Sequence, residues 1–488
     1  MSVYLVYLVL VTTLGPLQFG YHLAELNAPE SVIRCQKKSI VISGAAVKIH
    51  STRSPQCIPM SAAQFGLVTS IYTLGGLLGA LAAGPVSTRH GRLYAMRLTT
   101  LFFIIGPVLE ALAPSIPFMV LGRIISGIGA GASIVIVPLY IAEIAPPDKK
   151  GLFGAMTQIM TNVGILIAQL LGYFLSYDSY WRIILAVAGG IALAQLAGLF
   201  YTPESPRWLA EHNRAGLARR VLQKVRGHSV DISEEVSEWG IHGTASDSNA
   251  PDEENALLTN PDNEQPTYSK HTHNPPVGFF AVIQTPPYSR AVYAVIGIMV
   301  AQQLTGINSI VMYSVSILTT ILPAAAPMIA VFVSVVNLFV TTLCSPLADK
   351  LGRKRVILIS IAGMGINSFL LAFGIYYNIR PLSAVATLLF VASFATGLGP
   401  VPFILASELV GPEAVGATQS WALAANWIST FVVAQGVPML NEVLNRGRMY
   451  FLFAAMAVLF GAFIAIFVPE TKGKKDADEV WGRVRRED

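Results

Sequence analysis

The sequence predicts an all-α membrane protein with twelve transmembrane helices in two six-helix halves. Three observations predict it. Of the 488 residues, 53% are hydrophobic and only 12% are charged, against about 25% charged in a soluble domain. Segments 3–19, 183–200, 324–348 and 451–468 are nearly free of charge, and runs of roughly 18 or more apolar residues are long enough to span a bilayer. Two short motifs also recur in the same order. Gly84-Pro85-Val86-Ser87-Thr88-Arg89-His90-Gly91-Arg92 is matched by Ser345-Pro346-Leu347-Ala348-Asp349-Lys350-Leu351-Gly352-Arg353, and Pro203-Glu204-Ser205 by Pro469-Glu470-Thr471.

The spans fall at 3–23, 64–86, 95–113, 118–142, 151–175 and 182–201, then at 290–318, 324–348, 355–377, 382–409, 416–438 and 448–468. The first lacks a basic leader and a small-residue cleavage site, and Gly20-Tyr21-His22 continues the helix, so it reads as a permanent span rather than a secretory leader. In the fourth, Gly127, Gly129 and Gly131 remove side-chain bulk and invite close packing of a neighbouring helix. Gly397, Gly399, Pro400 and Pro402 break the tenth, since proline removes a helix donor and glycine weakens a turn.

Two polar segments interrupt the pattern. One, 27–61, joins the first two spans. The other, 203–288, joins the sixth and seventh. Its basic start, 207–226, suits short interfacial helices, whereas 228–276 is rich in Asp, Glu, Asn, Ser and Pro and reads as a disordered linker. The chain therefore divides into an N-terminal half (1–201), a linker (202–289), a C-terminal half (290–470) and a tail (471–488). No Asn-x-Ser/Thr sequon is present.

Charge sets the expected orientation. Short connections carrying Arg89, Arg92 and Arg97, Lys149 and Lys150, and Lys350, Arg353, Lys354 and Arg355 fall on one side, with the linker start and Lys472, Lys474 and Lys475 of the tail. The positive-inside bias makes that side cytosolic, with both termini on it. Arg34, Lys37, Lys38, Lys48 and Arg53, in the 27–61 loop, dissent. That loop also holds Cys35 and Cys57, which are expected to form a disulfide because the non-cytosolic side permits oxidation.

The motifs resemble those of the sugar-porter family of the major facilitator superfamily. The fourth span reads GRIISGIGAGASIVIVPLYIAEIAP from Gly122, the sixth ends in PESPRWL from Pro203, the seventh contains QQLTGIN from Gln302, and the twelfth ends in PETKG from Pro469. The opening QFGYHLAELNAP, from Gln18, resembles a fungal subgroup linked to vacuolar membranes and vacuolar protein sorting. The resemblance implies transport of a sugar or related polyol by alternating access, through facilitated diffusion or proton coupling, in a vacuolar or plasma membrane. It implies a cytosolic gate of Arg92, Arg123, Glu143, Glu204, Arg353, Glu408 and Glu470. The sequence departs from the family at Thr88, where Asp is usual, and at Val415, where Arg is usual, so that gate should be weaker or use other partners.

Polar residues within apolar spans are costly against lipid and usually face a cavity. Gln158, Gln169, Gln302, Gln303, Asn308, Asn337 and Asn426 are all amides. An amide both donates and accepts hydrogen bonds, as a sugar hydroxyl does. By resemblance, Gln158, Gln302, Gln303, Asn308, Asn337 and Asn426 contact the substrate, with Phe19, Phe403 and Trp427 as apolar faces. Phe403, Met312 and Ala395 depart from relatives and point to a monosaccharide or polyol other than the usual hexose. His22 occupies the place of an Asp found in proton-coupled relatives, and Glu25 lies on the same helical face, so the two are the candidates for proton coupling. A non-transporting sugar receptor on the same fold is the alternative, disfavoured by a tail of about twenty residues. No Ser/His/Asp arrangement, metal-ligand cluster or phosphate loop stands at motif spacing, so neither an enzyme, a metal nor a cofactor is expected, and the partners are the solute, possibly protons, and the bilayer rather than nucleic acid.

Overall fold

The computed structural model describes residues 2–36, 55–146, 149–227, 230–237, 278–319, 322–344, 346–411, 413–445, 447–474 and 477–482. Among them every regular element is a helix. Twelve are long and apolar enough to cross a membrane: Val3–Ala24, Ala62–His90, Arg92–Ala111, Ile116–Ile144, Leu152–Leu175, Trp181–Leu199, Tyr288–Thr319, Ala326–Cys344, Arg353–Tyr376, Arg380–Glu408, Val415–Leu444 and Met449–Phe467. The expected disordered stretch, 228–276, lies outside the described residues except for 230–237, where, against that expectation, Ser233–Ser237 forms a short helix and Glu235 pairs with Arg226.

Local chemistry explains the ends. Ser61 and Gln64 form a reciprocal capping box that starts the second span, satisfying backbone donors that the helix itself cannot. The eleventh span continues past Pro438 to Leu444, beyond the expected end at 438. Ending it there would leave backbone groups unpaired in hydrocarbon, which costs more than a proline inside a helix. Two spans are broken. The seventh stops at Leu304 and resumes at Ile307, with Gly306 at φ +94°. The tenth stops at Thr396 and resumes at Val401, across the glycine–proline cluster.

The repeated motif has a repeated geometry. Gly91 and Gly352 both sit at φ +100° between two helices, and a Cβ on either would collide with a carboxylate, Glu204 or Glu470 respectively. Within the N-terminal half, a Cβ on Gly127 or Gly131 would strike the backbone carbonyl of Tyr72 or Gly76 in the second span, so these glycines are packing residues. Gly129 faces the third span instead, beside Phe103.

The halves meet in the middle of the bundle and toward one of its faces. One face carries both termini and the linker helices Pro206–Glu211 and Ala215–Arg226; we term it the terminal face. The second linker helix buries Ala218, Leu222 and Val225, and its last residue, Arg226, donates to the Ile144 and Ala145 carbonyls that end the fourth span. The opposite face carries the joined Cys35 and Cys57, 22 residues apart; we term it the disulfide face. Asn27 bonds Ser314 and the Val315 amide, Ser70 bonds Gln435, and Gln435 bonds the Ala63 carbonyl. These links between the halves lie toward the disulfide face, which is closed.

Candidate functional site

Three groups of polar side chains are stacked through the bundle. On the terminal face, Arg92 grips Glu143 with Nη2 at 2.8 Å and Nε at 3.1 Å, and Glu204 accepts from the Arg92, Leu93 and Ser205 amides at 2.8–3.0 Å. Burial pushes the Glu204 carboxyl up, and those amide donors pull it back. The C-terminal half repeats this. Arg353 grips Glu408 at 3.0–3.2 Å, and Glu470 accepts from the Arg353, Thr471 and Lys472 amides at 2.9–3.1 Å. The halves differ at one position. Asp349 adds a 2.9 Å ion pair to Arg353, one helical turn away, whereas Thr88 has no charge to offer Arg92 and uses its carbonyl to accept from Trp208.

Each of these clusters ties helices within one half, and among the described residues neither bonds across to the other. The grouping of Arg92, Glu143 and Glu204, and of Arg353, Glu408 and Glu470, follows the expected gate set, but Arg123 does not belong with it. The fourth span runs from the disulfide face to the terminal face, and Arg123 lies in its second turn, deep in the opposite part of the bundle. It is fully buried and bonds Glu25 at 2.5 Å and the His22 carbonyl at 3.1 Å. His22 Nδ1 lies 2.8 Å from Glu25, and the imidazole stacks on Phe103 with ring centroids 5.6 Å apart. The Arg123 guanidinium sits over the Tyr72 ring at 4.5 Å.

The amides occupy the middle layer. Gln302 donates to the Leu398 and Gly399 carbonyls at 2.7 and 3.0 Å, which the break in the tenth span leaves without helical partners. Its own oxygen accepts from Asn426 at 2.5 Å and Gln303 at 3.1 Å, and Gln303 in turn accepts from Asn308. Facing them, Asn162 accepts from Asn337 at 3.3 Å and Gln158 at 3.4 Å and donates to Thr341 at 3.0 Å, joining the fifth and eighth spans across the halves. Gln169 donates to the Val311 carbonyl nearer the disulfide face, so its amide serves the contact between the halves. The Phe19 and Trp427 rings meet edge to face at 5.7 Å, and Trp427 packs on Gly76. Trp427 Nε1 is buried without a partner. Phe403 does not join this wall: it is 40% exposed on the short helix after the break, apart from the Phe19–Trp427 pair.

Sequence reasoning missed Asn162, Thr341 and Glu110. Each is polar within an apolar span, a signal that applied to them as well. Gln18 and Gln195 are a fourth case, bonded to each other at 2.7 Å inside the N-terminal half.

A family model described as "Sugar (and other) transporter" matches residues 8–480. A probable metabolite transport protein of Saccharomyces cerevisiae is 34% identical over 97% of this chain and 94% of its own. Vacuolar protein sorting-associated protein 73 of the same yeast is 33% identical over 96% of this chain and 94% of its own. Among solved structures, the xylose transporter of E. coli in a partially occluded inward-open conformation superposes with a TM-score of 0.75 at 26% identity, over 97% of this chain and 100% of that one. The proton:xylose symporter bound to 6-bromo-6-deoxy-D-glucose superposes less well, at 0.69. With twelve spans in two repeated halves and the glycine–arginine–carboxylate motif built twice, the chain belongs to the sugar (and other) transporter family.

Proposed function

We propose that this protein carries a neutral sugar or polyol across a membrane by alternating access, and that the substrate binds among the middle-layer amides. One observation carries the reading: uncharged amides meet across the halves where Asn337 donates to Asn162, which Gln158 also bonds, and the C-terminal half holds a second amide cluster of Gln302, Gln303, Asn308 and Asn426. Neutral donors and acceptors suit hydroxyl groups, and a site at the repeat interface is accessible to either face as the halves rock. The Asn27–Ser314 and Ser70–Gln435 links on the disulfide side, and the likeness to a xylose transporter in a partially occluded inward-open conformation, support a conformation open toward the terminal face. The lysine and arginine bias makes the terminal face cytosolic, and similarity to a vacuolar sorting protein of yeast supports a vacuolar or plasma-membrane location.

Proton coupling at His22 and Glu25 is part of this reading. Both are sealed from solvent, with the His22 imidazole paired to Glu25 and Glu25 to Arg123, and a similar fold is that of a proton:xylose symporter. Counterflow of labelled hexoses, pentoses and polyols in proteoliposomes tests the transport reading; binding of a sugar without exchange overturns it in favour of a receptor. A pH gradient imposed on the same vesicles tests coupling. Uphill accumulation is expected in the wild type and downhill movement only in His22→Asn, and a wild type indifferent to the gradient marks a uniporter.

A further inference from the structure

The Arg123 cluster holds one carboxylate more than it has fixed positive charge. His22, Glu25, Glu110 and Arg123 are each at most 1% exposed. Arg123 bonds Glu25 at 2.5 Å, but its nearest approach to Glu110 is 3.8 Å, too long for a hydrogen bond. Glu110 Oε1 accepts from Ser126 at 2.7 Å. Three proton-accepting atoms are left without partners, His22 Nε2, Glu25 Oε2 and Glu110 Oε2, as is the Arg123 Nε donor. Ligand-capable atoms of these three residues lie within 4.8 Å of one another.

The other groups packed around them do not supply the missing charge. Tyr72 commits its hydroxyl to the Phe19 carbonyl and Tyr21 to the Ile184 carbonyl, and Phe103 offers only a ring. The niche for Glu110 is built. A Cβ on Gly122 would run into the Glu110 side chain, and a Cβ on Gly106 would collide with the Ser126 hydroxyl. An uncompensated buried charge is among the costliest features a fold can carry, and one proton cancels it.

We propose that Glu110, on the third span, is the second carboxylate of a one-proton site formed with His22 and Glu25, with Arg123 as its fixed counter-charge. The proposal rests on the coupling reading above and adds a residue which the His22–Glu25 pair lacks. The proton arrives from water on one side, is held among the three unpartnered atoms, and leaves to water on the other. Once it has left, both carboxylates draw on a single guanidinium. That guanidinium lies on Tyr72, whose hydroxyl holds the Phe19 backbone and whose ring meets Trp427 of the other half at 6.4 Å. Loading of the site is thereby felt where the halves meet.

The test uses the full chain in proteoliposomes, with labelled D-xylose or D-glucose as the probe, whichever exchanges in counterflow. With one proton per sugar, a gradient of about one pH unit supports accumulation of up to about ten-fold. Glu110→Gln should lower the accumulation ratio to about one while exchange at equal pH stays measurable, and Glu110→Asp should restore part of the accumulation. Accumulation by Glu110→Gln at the wild-type level overturns the role of Glu110 and leaves coupling at His22 and Glu25 standing. Loss of exchange and accumulation together, in a variant that still melts cooperatively, assigns Glu110 a structural role and also overturns the proposal. A wild type driven by a sodium gradient, or by no gradient, overturns the coupling reading and this site with it.

Discussion

The ring of Tyr72 carries the Arg123 guanidinium on its face, with Cζ 4.5 Å from the ring centroid, while its hydroxyl donates to the Phe19 carbonyl at 3.2 Å. One side chain thus touches both the buried charge cluster and the aromatic wall of the middle layer. The two contacts separate by mutation. Tyr72→Phe keeps the ring and loses one hydrogen bond, so uptake should stay within a few-fold of wild type. Tyr72→Leu removes the cation–π contact, worth about 1–2 kcal/mol when desolvated, and should weaken uptake by about five- to thirty-fold. Equal losses in the two variants would show that the hydroxyl, not the ring, transmits the effect.

The amides should not be equivalent. Gln302 satisfies two carbonyls freed by the break in the tenth span and also accepts from Asn426 and Gln303. Gln302→Ala strands those carbonyls, at about 1–3 kcal/mol each if they stay dry, and should lower both thermal stability and uptake. Gln158 makes one long bond to Asn162, so Gln158→Ala should raise KM with little change in melting temperature. Asn308→Ala should fall between them, since Asn308 bonds only Gln303. Normal transport by all three variants would move the pocket elsewhere.

The disulfide should steady the closed face rather than the whole bundle. Joining Cys35 to Cys57 closes a loop of 22 residues, for which the chain-entropy model gives about 3 kcal/mol. The short helix Glu30–Ile33 immediately precedes the tethered segment, and the Ile58 amide just beyond it bonds the Ile33 carbonyl. Burial pushes the Glu30 carboxyl up, with Arg34 pairing to it at 2.8 Å as the main offset. Non-reducing mass spectrometry should find the two cysteines bridged and Cys344 free. Cys35→Ser with Cys57→Ser should lower the melting temperature by a few degrees and speed amide exchange in the Glu30–Ile33 helix, while leaving the twelve spans protected.

The spans were legible because lipid imposes one rule on them, that an apolar stretch of sufficient length must be helical. The breaks were only half legible. The glycine–proline cluster at 397–402 announces the one in the tenth span, but Thr305-Gly306 has no proline, and Gly306 turns only because its backbone adopts φ +94° against Phe453. Arg123 misled for a related reason. Its motif links it in sequence to Glu143, which pairs with Arg92 on the terminal face, yet Arg123 lies about six helical turns away along the same helix. Glu110 carried the signal of a charge within an apolar span, but its partners on other spans are set by packing, which no local pattern encodes.

A last prediction concerns the closed face. Gly76, in the second span, packs against the Trp427 ring of the eleventh, and a Cβ there would collide with three of its ring atoms. Gly66, nearer the disulfide face, approaches the Gln435 carbonyl of the same partner helix. The two spans can close only if this seam stays thin. Gly76→Val should therefore hold the halves apart on the disulfide side and bias the protein toward opening there. Labelling reports this directly. Asn441 borders a small cleft of about 150 Å³ between the halves on that face. In an Asn441→Cys, Cys344→Ser background, a membrane-impermeant maleimide added from the disulfide side should react faster once Gly76→Val is introduced, and uptake should fall by about ten-fold or more, since an overpacking cost of about 1–3 kcal/mol falls on one conformation alone. Unchanged labelling with unchanged uptake would mean that Trp427 rotates away freely, and that the seam does not limit closure.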